Sequence, residues 1–496
     1  MRITLLSLSI VTLVSLGAFV QPCNTVTDKC CDLLETAGVE VFRPGTAAYE
    51  EREESYFSVS AQLGPSCIAR PASAEGVSQS VRVLRRTGCK WAIRGGGHMT
   101  WRGASNIRKG VTIDMGKMND ITYSPKAEIV SIGAGARWSE VYSALEPYGV
   151  TAPGARTASV GVAGYLLAGG NNFFSAEVGL GCDNVANFEI VLADGRIVDA
   201  NHQLHKDLFK ALKGGSNNFG IVTRIDMQTV KVARLWGGQA VYPESTAGQH
   251  IAALIKWTNN IPSYTQGSAV IFRAYSPDAG TVISTAFHDA SDTEWAPAYD
   301  DFRNIRPQLS NTLRHDSHLN MTLELEEPEG YIQVWFTLTG KNDPCFIQRA
   351  FEEQANFVNS WKATQGPNFH CYITIQALSR SIFKHSVNKG GNVVGLEDEK
   401  GPALLFQMQM MIRPNGNERL ARQLLRAMHQ RLVSYYHSKG ILINWSYQGY
   451  ADSTQSPLST IGKGNIEFIK QVAEKYDRDG VFQERVSGGF KIPHTT

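Results

Sequence analysis

The chain has 496 residues, 43% hydrophobic and 19% charged, which is enough for two or three domains with a buried core. Its 48 basic and 46 acidic side chains leave a net charge of +2 with no long block of either sign, which excludes the concentrated basic face of a nucleic-acid binder. The 46 glycines cluster without a period, so collagen-like, low-complexity and disordered chains are excluded as well.

At the N-terminus, Met1-Arg2 precedes an apolar run from Ile3 to Val20 that passes through the small residues Ser15-Leu16-Gly17-Ala18. This pattern predicts a secretory signal peptide over 1–18, in preference to a membrane anchor. No later stretch is apolar enough to span a bilayer. Eight cysteines follow: Cys23, Cys30, Cys31, Cys67, Cys89, Cys182, Cys345 and Cys371. None forms a CxxC or a Cys/His spacing suited to zinc, so no metal site is expected. In an oxidising compartment, disulfides are expected to tie Cys30 or Cys31 to Cys89 or Cys67. The sequons at Asn320 and Asn444 fit a glycoprotein, although the apolar run around Asn444 predicts burial there.

Residues 19–60 have a mostly helical pattern. From about Pro65 to Val230, short β-like runs (Trp91-Ala92-Ile93, Val111–Asp114, Glu128–Ile132, Asn187–Leu192) alternate with glycine turns and helices such as Trp138–Tyr148. From Leu235 to His437 longer alternating segments appear at Gly267–Arg273, Gly280–His288, Tyr331–Thr339, Phe369–Gln376 and Ala403–Ile412. The stretches Asp343–Thr364 and Asn417–Tyr436 between them read as helices. The whole predicts an α+β protein whose middle third is a largely antiparallel sheet with helices on one face. Gln407 and Gln409 share a strand face, which by default points to solvent and otherwise to a substrate. The last sixty residues hold a strand-like run, Ile441–Tyr450, and a helix over Asn465–Tyr476.

Glycine clusters are where backbone N–H groups can approach a phosphate. There is no GxxxxGK[ST], and Gly133-Ala134-Gly135 fails as a dinucleotide fingerprint because Trp138 stands where the third glycine belongs. Four clusters remain within one stretch: Arg94-Gly95-Gly96-Gly97-His98, Val160-Gly161-Val162-Ala163-Gly164, Leu167-Ala168-Gly169-Gly170 and Lys213–Gly220. Any one of them is an ordinary turn. Together they point to a large phosphorylated ligand wrapped by several loops.

These clusters, with Gly181–Gly195 and Leu208–Thr223, resemble the FAD-linked oxidases of the p-cresol methylhydroxylase/vanillyl-alcohol oxidase superfamily. Tyr447–Asp452, Tyr476-Asp477 and Phe482–Phe490 are similar to the closing segment of its berberine bridge enzyme-like members, the fungal type above all. The resemblance implies a two-domain FAD fold with an inserted substrate domain: an N-terminal helical segment (19–60), an FAD-binding domain (61–233), a substrate domain (234–440) and a C-terminal return (441–496). It implies covalent FAD on His98 through the flavin 8α position, with no second tether, because Thr157 stands where many relatives carry a cysteine. Arg94, Gly95, Gly96, Gly97, Ser159, Val160, Gly161, Gly164, Gly169, Gly170, Asp183, Gly220, Ile221 and Val222 fall at its cofactor-binding positions. Val160 resembles the oxidases at the position that governs oxygen access, which implies dioxygen as acceptor and hydrogen peroxide as product.

In the family's Tyr-x-Asn-Tyr-x-Asp pattern the base is a tyrosine, here Tyr450 with Tyr447 in support, and hydride passes to flavin N5. Gly449 departs from the pattern's Asn. A phenol needs neighbouring positive charge or hydrogen bonds to act as a base near neutrality. The implied protein is a monomeric, secreted or vesicular FAD-dependent oxidase acting on a small organic substrate of secondary metabolism. The alternatives are a secreted carbohydrate oxidase with an aromatic groove drawing on Trp335, Trp361 or Trp445, and a flavin-holding protein without catalysis.

Overall fold

A four-residue strand that is buried along its whole length, Val111–Asp114, lies inside a small sheet between Cys67–Arg70 and Trp91–Arg94, parallel to both. Parallel strands need a crossover, and the helix Ala74–Thr87 supplies it. Ser73 caps the start of this helix by accepting the Gly76 N–H, and Gly88 ends it at φ 76°, a conformation that suits glycine. The computed structural model describes residues 26–493 except 398 and 400. The signal peptide expected over 1–18 lies outside the described residues, as does Cys23.

Two disulfides pin the first helix, Val26–Thr36, to this sheet: Cys30–Cys89 and Cys31–Cys67. They join the four cysteines expected to pair, and they settle which of Cys30 and Cys31 goes to which partner, a choice that spacing leaves open. The segment expected to be helical over 19–60 also holds a strand, Glu40–Phe42, which adds antiparallel to Cys67–Arg70.

A five-stranded antiparallel sheet follows, in the order Ile121–Ser124, Ile129–Gly133, Ile221–Gln228, Val185–Val191 and Ile197–Asn201. Gly133 and Gly135 belong to its packing and not to a phosphate loop. A Cβ on either would lie 2.1 or 2.0 Å from the carbonyl of Met118 or Met115.

The third sheet has nine strands, all paired antiparallel. His370–Leu378, Ala403–Ile412 and Ile332–Lys341 lie side by side in it. In Ala403–Ile412 the side chains Leu404, Phe406, Met408, Met410 and Ile412 join a core with the helices Pro344–Gln365 and Glu418–Ser438. Period two then sends Gln407 and Gln409 to the opposite face. That face is covered too, because both glutamines are buried, so the default expectation of solvent is corrected.

The expected strand Ile441–Tyr450 shrinks to Leu442–Ile443, and a 3-10 turn holds Gln448–Tyr450. Asn444 is exposed, against the expectation of burial. The chain then returns to the small sheet, where the Trp91 N–H donates to the Arg485 carbonyl and the Ser487 N–H donates to the Trp91 carbonyl. Among the described residues no helix is long and apolar enough to cross a membrane, and no cluster of side chains could hold a metal ion.

Candidate active site

One cavity draws its wall from all three sheets and from the C-terminal return. Gly95, Gly96, Gly97, His98, Val160, Gly161, Gly164, Gly220, Ile221, Val222, Tyr447 and Tyr450, all expected at the site, line it together. The loop after Trp91–Arg94 meets the loop before the short helix Val162–Leu167 backbone to backbone. A Cβ on Gly96 would lie 2.6 Å from the Cα and N of Gly161, so neither position tolerates a side chain. Gly164, by contrast, has no atom within 4 Å of a Cβ position. It faces open space on the cavity wall.

Five of the expected residues stand behind the wall. Buried Arg94 donates to the carbonyls of Arg52 and Ser55, and its guanidinium lies 3.6 Å above the Tyr56 ring. Asp183 accepts from the Leu180 N–H, the Ser386 hydroxyl and the Asn392 amide, so its carboxyl ties three segments together and does not reach the cavity. Gly169 and Gly170 accept the N–H groups of Cys182 and Gly181 through their carbonyls. Ser159 contacts the site through His98, whose Nε2 lies 3.3 Å from its Oγ.

His98 stacks flat on Phe57, with centroids 3.9 Å apart and an interplanar angle of 10°. Burial, with Arg137 nearby, pushes the imidazole down to about 3. It is therefore neutral and nucleophilic near neutral pH.

Tyr450 lies on the 3-10 turn, and its hydroxyl accepts the Gln376 amide at 3.0 Å. Gln376 in turn accepts from the Arg156 guanidinium at 2.7 Å and from the Asn171 amide at 3.0 Å. A cation thus stands behind the amide that donates to the phenol oxygen. Tyr447 accepts the Asn171 N–H at 3.2 Å and meets the Tyr450 ring edge-on at 4.9 Å; burial raises its phenol well above the ordinary range. Gly449 has a steric reason: a Cβ there would lie 2.7 Å from the Tyr447 ring.

Trp335 and Gln407 also line the cavity, as does Glu327, which accepts the Gln409 amide at 2.5 Å. Burial raises the Glu327 carboxyl to about 7. The sequence reading missed Arg156, Gln376, Glu326 and Glu327. For Gln376 a signal existed, a polar side chain inside an otherwise apolar strand. Glu326-Glu327-Pro328-Glu329 reads as a solvated loop and carried none. Trp361 and Trp445 are buried away from the wall; Trp445 donates to the Val394 carbonyl.

The family profile described as FAD binding domain matches residues 65–201. The chain is 40% identical over 475 residues to the FAD-dependent monooxygenase sdcF of Emericella nidulans, spanning 94% of this chain and 99% of that one. Among solved structures it resembles BBE-like 1 of Physcomitrella patens, with TM-score 0.76, 21% identity and coverage of 95% and 100%. A glucooligosaccharide oxidase of Acremonium strictum gives TM-score 0.74, 18% identity and coverage of 94% and 99%.

The chain belongs to the family of these fungal FAD-dependent enzymes, and it shares the fold of the BBE-like protein and of the glucooligosaccharide oxidase. The α+β expectation holds, and so does the expectation of an enzyme; a flavin-holding protein without catalysis is set aside. The wall suits the cofactor of this family. Trp101 Nε1 and Ser105 Oγ are buried on it without a partner, and among the described residues nothing accepts the N–H of Gly96, Gly97 or His98. Such orphaned donors beside an open glycine wall fit an anionic, hydrogen-bonding ligand.

Proposed function

We propose that this FAD-dependent oxidoreductase is an oxidase of a small organic substrate, with Tyr450 as its base and His98 as the attachment point of the flavin. The observation that carries the reading is the Arg156–Gln376–Tyr450 chain opening into the same cavity as His98. When bound, FAD supplies the two-electron acceptor. Tyr450 takes the substrate's proton, the Gln376 amide backed by Arg156 holds its oxygen in place, and Tyr447 and Trp335 wall the reacting centre from water. His98, neutral and fixed by Phe57, carries the cofactor covalently, and Thr157 leaves no second tether.

The proposal divides the chain into an FAD-binding part, 61–233 with 441–496, and a substrate part, 234–440. It makes the protein a secreted or vesicular monomer of fungal secondary metabolism. The two disulfides support an oxidising compartment. Trp335 alone of the three tryptophans reaches the wall, which weighs against a carbohydrate groove.

The relatives' names favour a second reading, a monooxygenase. Turnover under isotopically labelled dioxygen separates the two. An oxidase releases one hydrogen peroxide per oxygen consumed and leaves the product unlabelled; label in the product sinks the oxidase reading. For the base, Tyr450→Phe with FAD retained is expected to lose about two orders of magnitude or more in kcat, and full turnover in that variant refutes its role.

A further inference from the structure

We infer that Glu326, acting through Ser159, fixes the tautomer of His98 and so leaves Nδ1 as the nitrogen that bonds the flavin. The inference rests on the His98 tether proposed above and adds a positioning pair from outside the cavity wall. Glu326 belongs to the loop between the helix His318–Leu323 and the strand Ile332–Lys341. Its carboxylate grips Ser159 twice, accepting the backbone N–H at 2.5 Å and the hydroxyl at 2.6 Å.

A carboxylate has no proton to give, so the single hydrogen of the Ser159 hydroxyl is committed to Glu326. Toward His98 Nε2, at 3.3 Å, Ser159 Oγ can then only accept. Nε2 therefore holds the imidazole hydrogen, and Nδ1 holds the lone pair. The ring is neutral, with its acidity set by burial and Arg137, and the flat stack on Phe57 resists its turning over. The ring's own backbone is the competing partner. An oxygen polarised by a carboxylate is the stronger acceptor.

In the attachment a bond forms between Nδ1 and the flavin's 8α carbon. The carbon loses a hydrogen and the imidazole its Nε2 proton; the two electrons pass by way of the flavin to dioxygen, which takes up two protons and leaves as hydrogen peroxide. Ser159 and Glu326 are the path by which the Nε2 proton leaves as the ring becomes alkylated.

The test needs no substrate. The full chain, wild type and the variants Glu326→Gln, Ser159→Ala and Glu326→Asp, is purified. Total FAD is read by absorbance, covalent FAD by acid precipitation, and folding by thermal melting. The attached nitrogen is identified on the flavin peptide by NMR. Glu326→Gln and Ser159→Ala are expected to retain FAD and to melt as the wild type does, yet to attach added FAD roughly ten- to a hundredfold more slowly. Glu326→Asp restores part of the rate, and the wild-type bond is at Nδ1.

Wild-type attachment rates in both variants, or a bond at Nε2, overturn the inference and leave the tether standing. Loss of all bound FAD in both variants makes the pair a packing element and also overturns it. A wild type without acid-stable flavin removes the tether itself, and this inference with it.

Discussion

The phenol of Tyr450 accepts from a side-chain amide backed by a cation, whereas that of Tyr447, three residues away, accepts from a backbone N–H. Gln376 donates to Tyr450 and Arg156 stands behind Gln376, whereas Tyr447 is buried and its phenol is pushed up. Gln376→Leu removes the donor and isolates the cation. With FAD retained, turnover is expected to fall about tenfold; the rate of peroxide release reads this, and a wild-type rate would refute the role of the donor. Glu327 makes a separate prediction. Its carboxyl is raised from 4.5 to about 7 by burial, so the fold is favoured at low pH, where Glu327 is protonated, and that advantage is lost as pH rises through about 7. The difference is at most on the order of 3 kcal/mol. Between about pH 5 and about pH 8 the wild type's melting temperature should fall relative to that of Glu327→Gln. Parallel melting curves across that range would refute the raised carboxyl.

Elements with a strong period were legible, and elements made by contact were not. Ala403–Ile412 is legible to the residue because one face is apolar throughout and the other carries Gln407 and Gln409. Tyr447 and Tyr450 were placed on a strand, although the run Ile441–Tyr450 is apolar without pairing beyond two residues. The glycine loops were legible as a cluster, but which glycines face the cavity depends on loops that meet only in three dimensions. Gly96 and Gly161 show this, since each occupies the space of the other's side chain. Gly96→Ala must push one loop off the other by backbone movement. It is expected to lose FAD binding while circular dichroism stays close to wild type; retention of FAD at wild-type affinity would refute the close approach. The disulfides act at the same scale. They close loops with sequence separations of 59 and 36, and chain entropy assigns each on the order of 4 kcal/mol. Reduction should therefore lower the unfolding midpoint in denaturant markedly, by loosening the helix that carries Cys30 and Cys31.

Over the whole molecule, the cavity has no owner among the three sheets. His98 comes from the loop that leaves the small four-stranded sheet, Ile221 and Val222 from the five-stranded one, Trp335 and Gln407 from the nine-stranded one, and Phe490 from the C-terminal return. A sequence read in order cannot show such a convergence, because Glu326 and Ser159 are 167 residues apart and share no local pattern. Packing of all these parts around one ligand couples cofactor binding to the stability of the entire chain. A ligand that binds the folded state alone stabilises it by an amount that depends on its free concentration, about 2.7 kcal/mol at a hundredfold excess over Kd. A cofactor bonded to His98 cannot be diluted away, so its contribution is independent of added FAD. His98→Ala should convert the second case into the first. Its melting temperature is expected to start below that of wild type and to climb by a few degrees as FAD is added, while the wild type does not move. Two flat titrations with equal midpoints would mean that FAD does not hold the three sheets together; two that climb alike would mean that the wild-type cofactor is not bonded.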